Sequence, residues 1–349
     1  MRIGILTLHM ADSYGAVLQA YALQRTLTGL GAENELVSFV RERPVRPQVR
    51  PKGPLAVRME KAAWERAGRF EEFRRKRLVH AGPIPWREAA RLDGMYDRFV
   101  AGSDQVWNLR IPEVGEGHFL TFTPPEKRFS YAASFGGEAV PERAKDWCAK
   151  ALGSFRGLSV REESGRAEIA ALTSRDAAVC VDPVLLPDRS FWEELAVVPD
   201  SGPYVFLFLM QYNAELAGMA SDYAREHDLA LRTVTAAFIP RFGFSAWTDA
   251  GPEDWLSLIR HAECVFTNSF HGTAFALLFG RRLRTAGLTG DLAGRSGRIT
   301  ELLRTAGLEG CMTDPLPPPE KDLAARLSSM RAASMEYLKG VVSDGKWKE

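Results

Sequence analysis

The chain has 349 residues, more than a single hydrophobic core usually supports, so we expect two domains. Its 45 basic and 44 acidic residues give a formal net charge of +1. This balance supplies no global field for nucleic acid, and it allows at most peripheral contact with a membrane. The four cysteines form no CxxC pair, which argues against a zinc knuckle or a disulfide framework. No apolar run reaches the roughly twenty residues that cross a bilayer, so we expect a soluble, cytoplasmic protein.

The first part of the chain predicts alternating strands and helices. Strands are predicted at RIGILTL, ENELVSFV, DRFVAGS, RFSYAASF, GLSVRE and AAVCVD, and helices at residues 14–31, 142–155 and 162–173. A charged helix is predicted from Pro54 to Leu78, with Trp64, Phe70 and Phe73 partly buried. Residues 41–52 contain several prolines and arginines, which predicts a solvated loop or arm. Steering of an anionic carbohydrate or lipid head group is the alternative for this arm.

A second alternating series follows a proline-marked region at residues 182–203. It comprises strands at YVFLFLM, ALRTVT and ECVFT and helices at residues 213–227, 252–262 and 269–280. Two such series predict an α/β fold with two Rossmann-like domains facing across a cleft. We expect the first domain at residues 1–190 and the second at 191–319, with a final helix at 320–345 packing back on the first.

Familiar catalytic motifs are absent from the sequence. There is no GxxxxGK[ST] loop and no GxGxxG after the first strand, which argues against a Walker-type NTPase and the usual NAD site. Neither a GxSxG elbow nor an HExxH helix occurs. The candidates for chemistry are therefore the polar residues that follow predicted strands.

Two such groups lie in the first series. Gly15 follows the first strand, where the N–H groups of a helix N-terminus bind anions, although a glycine needed only for the turn is the alternative. Asp104, Gln105 and Asn108 follow DRFVAGS and bring an acid and two amides to one loop, as sites for polar ligands such as sugars do. For Asp104 the alternative is a helix N-cap.

Two arginines are candidate anion ligands. Arg161 directly follows the strand of GLSVREES, where a guanidinium can fork onto a carboxylate or phosphate, but pairing with Glu162 or Asp182 is equally compatible with the sequence. Arg298 stands with Arg295 at a predicted helix start, where an anion also gains from the helix dipole. For Arg295, exposure to solvent is the simpler explanation.

The segment TNSFHGT places Asn268, Ser269, His271 and Gly272 between a predicted strand and an apolar helix. In open α/β sheets, ligands bind at the carboxyl ends of strands, so His271 is a candidate functional residue. A core histidine with a satisfied hydrogen bond is the alternative.

Six segments of the chain, in order from the first strand to about Leu308, together resemble the polysaccharide pyruvyl transferase family. They are ADSYGAVLQAYALQ, VAGSDQVWN, SYAASFG, SVREESG, GPEDWLSLIRHAECVFTNSFHGTAF and SGRITELLRTAGLE. The resemblance implies a GT-B-like fold and transfer of pyruvate from phosphoenolpyruvate to sugar hydroxyls, which forms a ketal on a cell-surface glycan or exopolysaccharide precursor. It implies phosphoenolpyruvate as donor substrate and a glycan or lipid-linked sugar as acceptor, with no cofactor and no metal.

By this resemblance, His271 is the leading catalytic residue and Arg161 a phosphoenolpyruvate ligand, with Asp104 as a base for the sugar hydroxyl. The remaining substrate-binding candidates are Gly15, Gln105, Asn108, Asn268, Ser269, Gly272 and Arg298. Many family members have an Arg-Leu-His pattern, and this chain has Ser269 at the arginine position. We expect Arg298 to supply the missing charge.

Two other functions are compatible with the same pattern. One is a GT-B glycosyltransferase that uses a nucleotide sugar, because a fold does not fix its chemistry. The other is a catalytically silent glycan-binding protein on the same scaffold. The joint presence of Asp104, Arg161 and His271 favours an enzyme.

Overall fold

The computed structural model describes residues 1–40, 54–196, 202–234, 245–247, 249–312 and 323–343. It divides into two compact units. The first contains the described residues of Met1–Pro44, Arg77–Pro187 and Leu327–Glu349, and the second contains those of Val45–Lys76 and Asp188–Arg326. The arm at residues 41–52 lies outside the described residues.

Most strands are followed by a helix along the described chain. The strands are β1 Arg2–Leu6, β2 Glu33–Val37, β3 Arg98–Ala101, β4 Arg128–Ser130, β5 Ser159–Val160, β6 Ala178–Val179, β7 Tyr204–Phe208, β8 Ala230–Val234, β9 Ser245–Trp247, β10 Cys264–Thr267 and β11 Arg282–Thr285. The helices are α1 Tyr14–Gly29, α2 Pro54–Arg77, α3 Lys145–Gly153, α4 Glu163–Thr173, α5 Arg189–Glu193, α6 Ala214–Glu226, α7 Pro252–Arg260, α8 Phe270–Leu278, α9 Gly297–Ala306 and α10 Leu323–Val342.

The first unit is built on a parallel sheet with the strand order β2-β1-β3-β4. The short parallel pair of β5 and β6 adjoins it through the bridges Phe129 to Gly157 and Ala133 to Val160. Apolar side chains such as Phe99 and Trp107 fill its core. Helix α10 packs on this unit, where Ser334 Oγ accepts a hydrogen bond from Val181 N at 3.0 Å.

The second unit is built on another parallel sheet, with the order β11-β10-β7-β8-β9. The inner strands β7 and β10 are buried along their whole length, as a parallel sheet covered by helices requires. In both units the carboxyl ends of the strands meet at one edge of the sheet, and the candidate residues follow those ends.

The two parallel sheets confirm the predicted α/β class with two Rossmann-like units. Helix α2 also matches its prediction closely, and Phe70 and Phe73 are buried, but the prediction for Trp64 is wrong because that side chain is 78% exposed. Sequence reasoning missed β11. All four cysteines are buried and free. Within the part of the chain that the structure describes, no helix is long and apolar enough to span a membrane.

Candidate functional site

Arg161 lies in a buried network of charges at the strand ends of the first unit. Its Nη1 is 2.6 Å from Asp182 Oδ2, its Nε is 3.5 Å from Glu162 Oε2, and all three side chains are at most 2% exposed. Burial alone would lower the pKa of Arg161, but Asp182, Glu162 and Asp104 raise it above its ordinary value. The structure thus shows the ion pairs that the sequence left open as an alternative, and contact with phosphoenolpyruvate stays a prediction.

Hydroxyl groups complete this network. Ser103 Oγ donates to Asp182 Oδ2 at 3.1 Å, and Ser134 Oγ donates to Glu162 Oε1 at 2.5 Å. Because Ser103 follows β3 and Ser134 follows β4, the network joins the ends of adjacent strands. The network therefore fixes the loop after β3, in which Asp104, Gln105 and Asn108 lie.

Asp104 directly follows Ser103 and adopts a backbone φ of 73°, in the left-handed region that non-glycine residues seldom occupy. Its side chain accepts a hydrogen bond from Gln105 N at 2.9 Å. Strained backbone conformations of this kind are common at functional sites, so the observation supports Asp104 as a candidate site residue. The structure does not make Asp104 the cap of a regular helix, since the described helices begin elsewhere.

Gln105 and Asn108 bond to each other, with Asn108 Nδ2 donating to Gln105 Oε1 at 2.9 Å. Gly136 packs against this amide pair with a φ of 73°, a conformation that favours glycine. Gly15 is buried in the first turn of α1. Gln105 and Asn108 thus have a local structural role, and contact of all three candidates with a substrate stays a prediction.

A cavity of about 1120 Å³ opens beside the carboxyl ends of β1 and β2 in the first unit. Its walls include Phe39, Trp86, Gly117 and His118, none of which the sequence indicated as a site residue. Burial lowers the pKa of His118 to about 4, so its imidazole is neutral at pH 7. The cavity is large enough for a substrate-sized ligand.

His271 occupies the first turn of α8 in the second unit, directly after β10, and its side chain is partly buried. Ser269 caps this helix, since its Oγ accepts from Gly272 N at 3.3 Å. A Cβ atom on Gly272 would lie 2.6 Å from Thr267 Oγ1, so glycine allows the helix to start this close to the strand. Ser269 and Gly272 thus fix the position of His271.

Asn268 ties two strand ends together. Its Oδ1 accepts from Met210 N at 2.7 Å, and its Nδ2 donates to Gln211 O at 2.6 Å. Gln211 in turn exchanges hydrogen bonds with the backbone of Thr289. The loops after β7, β10 and β11 are therefore joined at the edge where His271 stands.

Arg298 lies next to the start of α8. Its guanidinium is 5.8 Å from the ring centroid of Phe270, the residue before His271, and its Nε donates to Arg295 O at 3.3 Å. Arg295 is partly buried, and among the described residues its own Nε has no hydrogen-bond partner although it is shielded from solvent. The second unit thus brings the guanidinium of Arg298 close to the helix start that carries His271.

This arrangement suits the binding of an anion next to a side chain that can transfer a proton. Helix N-terminal N–H groups and guanidinium groups both attract carboxylates and phosphates, and an imidazole can transfer a proton near neutral pH. The sequence indicated His271 and Arg298, and the structure places both in the same region of one unit. The partly buried state of Arg295 differs from the exposure that the sequence favoured.

Comparison with family models gives one match, the family described as polysaccharide pyruvyl transferase, over residues 14–283. Comparison with curated proteins finds no match. The solved structures that resemble the chain include the following three.

UDP-GlcNAc 2-epimerase from Neisseria meningitidis has 8% identity and a TM-score of 0.46, with 95% of this chain and 99% of that chain covered. The enzyme of the same name from Methanocaldococcus jannaschii has 11% identity and a TM-score of 0.44, with 95% and 93% covered. ADP-heptose lps heptosyltransferase II from E. coli has 12% identity and a TM-score of 0.36, with 85% and 88% covered.

Proposed function

Because the chain belongs to the polysaccharide pyruvyl transferase family, we propose that it moves pyruvate from phosphoenolpyruvate to hydroxyls of a sugar in a cell-surface or exopolysaccharide precursor. The product is a pyruvate ketal, and inorganic phosphate is released. The observation that carries the proposal is the position of His271 on the first turn of α8, with the guanidinium of Arg298 5.8 Å from the ring centroid of the neighbouring Phe270.

Phosphoenolpyruvate carries a carboxylate and a phosphate close together, so its site needs cations and N–H donors that converge. The N-terminus of α8 offers backbone N–H groups, and Arg298 and Arg295 offer guanidinium groups. Arg298 takes over the charge that the Arg-Leu-His pattern would place at Ser269. In this proposal Arg298 and Arg295 bind the donor, and Arg161 stabilises the buried network of the first unit through its ion pairs with Asp182 and Glu162.

His271 is the proposed general acid. Its proton goes to the methylene carbon of phosphoenolpyruvate, which leaves an oxocarbenium-like centre at the neighbouring carbon. One sugar hydroxyl attacks that carbon, the bond to the phosphate oxygen breaks, and a second hydroxyl closes the ketal. The two hydroxyl protons are lost in these steps, with Asp104 as the proposed base for one of them. One phosphoenolpyruvate and one diol thus give one ketal and one phosphate.

Calorimetry on the purified chain tests the donor assignment. We expect phosphoenolpyruvate to bind more tightly than UDP-sugars, and Arg298→Gln to weaken that binding by about 1.5–3 kcal/mol, the range for hydrogen bonds to charged groups. Arg304→Gln is the matched control, because Arg304 is an exposed arginine of the same helix and should leave affinity unchanged. Binding of UDP-sugars without binding of phosphoenolpyruvate would instead favour a nucleotide-sugar glycosyltransferase.

A further inference from the structure

Two large apolar side chains of the second unit are exposed on one short loop. Met210 and Tyr212 are 59% and 51% exposed, and both belong to residues 209–213, which connect β7 to α6. Trp64 is the other large hydrophobic side chain that is exposed among the described residues of this unit. Exposed apolar side chains that lie together mark binding surfaces more often than single ones do. The loop at residues 209–213 is therefore a candidate contact surface.

This loop is fixed on both sides of Tyr212. Before it, Met210 N donates to Asn268 Oδ1 at 2.7 Å, and Gln211 O accepts from Asn268 Nδ2 at 2.6 Å. After it, Asn213 is the N-cap of α6, with its side chain bonded to the helix backbone. The exposure of Met210 and Tyr212 thus occurs on a loop that is held by specific hydrogen bonds. A contact surface that is in place before the ligand arrives loses less entropy on binding.

The loop adjoins the turn that carries His271. Strands β7 and β10 are neighbours in the sheet, with Phe208 paired to Thr267 in register, and Thr267 Oγ1 also donates to Phe208 O at 2.7 Å. Both strands end at these residues. Residues 209–213 and the turn from Asn268 to His271 therefore leave the sheet side by side at its carboxyl edge, where ligands of open α/β sheets bind.

The proposed reaction determines where the acceptor sugar has to lie. Its hydroxyl attacks the carbon next to the one that His271 protonates, so the sugar ring is held by loops that adjoin the start of α8. A tyrosine offers a flat apolar face on which the C–H groups of a sugar ring can pack, and a hydroxyl that bonds to sugar hydroxyls. A methionine beside it adds an adaptable apolar contact.

We propose that Tyr212, with Met210 beside it, forms the surface on which the sugar ring of the acceptor packs. The inference rests on the proposed function for the word acceptor and for the position of the donor. Neither side chain carries a positive charge, so neither is assigned to phosphoenolpyruvate. Donor and acceptor are thus bound by different residues of the second unit.

Calorimetry with neutral 4-nitrophenyl gluco-, galacto- and mannopyranosides tests the proposal, with 4-nitrophenol as the ligand that lacks a sugar. We expect at least one hexoside to bind more tightly than 4-nitrophenol. Tyr212→Ala should weaken that binding at least about tenfold, as truncation of a central aromatic contact does, and Met210→Ala should weaken it less. Tyr212→Phe should keep most of the affinity because the ring face remains. Both side chains are exposed, so these variants are compatible with folding.

Arg225→Ala is the matched control, because it truncates another exposed side chain at the opposite end of α6. It should bind hexosides as the unmodified protein does. Phosphoenolpyruvate affinity is measured on the same samples and should be unchanged in Tyr212→Ala. In the complete reaction, Tyr212→Ala should raise the KM for the hexoside with little change in kcat, whereas a general loss of structure would lower kcat.

The inference is overturned if no hexoside binds, if 4-nitrophenol binds as tightly as the best hexoside, or if Tyr212→Ala retains full hexoside affinity. A different outcome separates it from the proposed function. Hexoside binding that depends on Tyr212, without any binding of phosphoenolpyruvate, would sink the proposed function and leave Tyr212 as a sugar contact.

Discussion

Replacement of His271 by asparagine is expected to lower turnover about 10²–10⁴-fold, the usual contribution of a general acid, while phosphoenolpyruvate still binds. The imidazole stands on the first turn of α8 and is only partly buried, so an amide of similar size fits the same position. Asparagine cannot deliver the proton that the methylene carbon requires. The measurement is phosphate release under saturating donor and acceptor, with the melting temperature taken on the same preparation.

His261→Asn is the matched control. His261 is another partly buried histidine of the second unit, where its Nδ1 lies 2.9 Å from Ser257 O at the end of α7. We expect this variant to keep full turnover. A His271→Asn protein that is destabilised by about 1–3 kcal/mol yet active per folded molecule would instead identify a structural histidine.

Replacement of Arg161 by alanine is expected to lower the free energy of unfolding by about 3–5 kcal/mol. The change leaves the buried carboxylates of Asp182 and Glu162 without the guanidinium that both contact. Buried charges that lose a partner cannot regain the hydration that they gave up on folding. Urea unfolding followed by circular dichroism gives the change in stability.

Arg166→Ala provides the comparison, because Arg166 also contacts an aspartate, Asp176, but at a surface where both side chains are exposed. We expect a far smaller loss of stability there than for Arg161→Ala, because exposed pairs are screened by solvent. If Arg161→Ala unfolds like the unmodified protein but loses phosphoenolpyruvate affinity, Arg161 is a ligand of the donor and its network is not essential for stability.

Much of the fold follows from local sequence patterns. Buried strands such as β7 and β10 are continuous apolar runs, and the helices between strands have regular apolar spacing, so both are visible in the sequence. Strand β11 was missed because two of its four residues are arginines. It forms the edge of its sheet, where charged side chains are tolerated and protect against pairing with other chains.

The candidate site was only partly predictable. His271 and Ser269 lie where a strand passes into a helix, so their neighbourhood is set by local sequence. Asp182 was one possible partner of Arg161 in the sequence, whereas the contact of Arg298 with Phe270 depends on the packing of distant segments, which one sequence does not reveal. The cavity is harder still, because the residues of its wall are separated along the chain and are brought together only by the fold.

The most direct test of the proposed activity is a reaction of the purified chain with phosphoenolpyruvate and a neutral 4-nitrophenyl hexoside, followed by mass spectrometry and phosphate determination. We expect a sugar product heavier by pyruvic acid less one water, with one inorganic phosphate released per product molecule. We also expect the product to survive treatment with base, as a ketal does and an ester does not. No mass gain with any hexoside that binds, together with transfer of a sugar from a UDP-sugar, would contradict it.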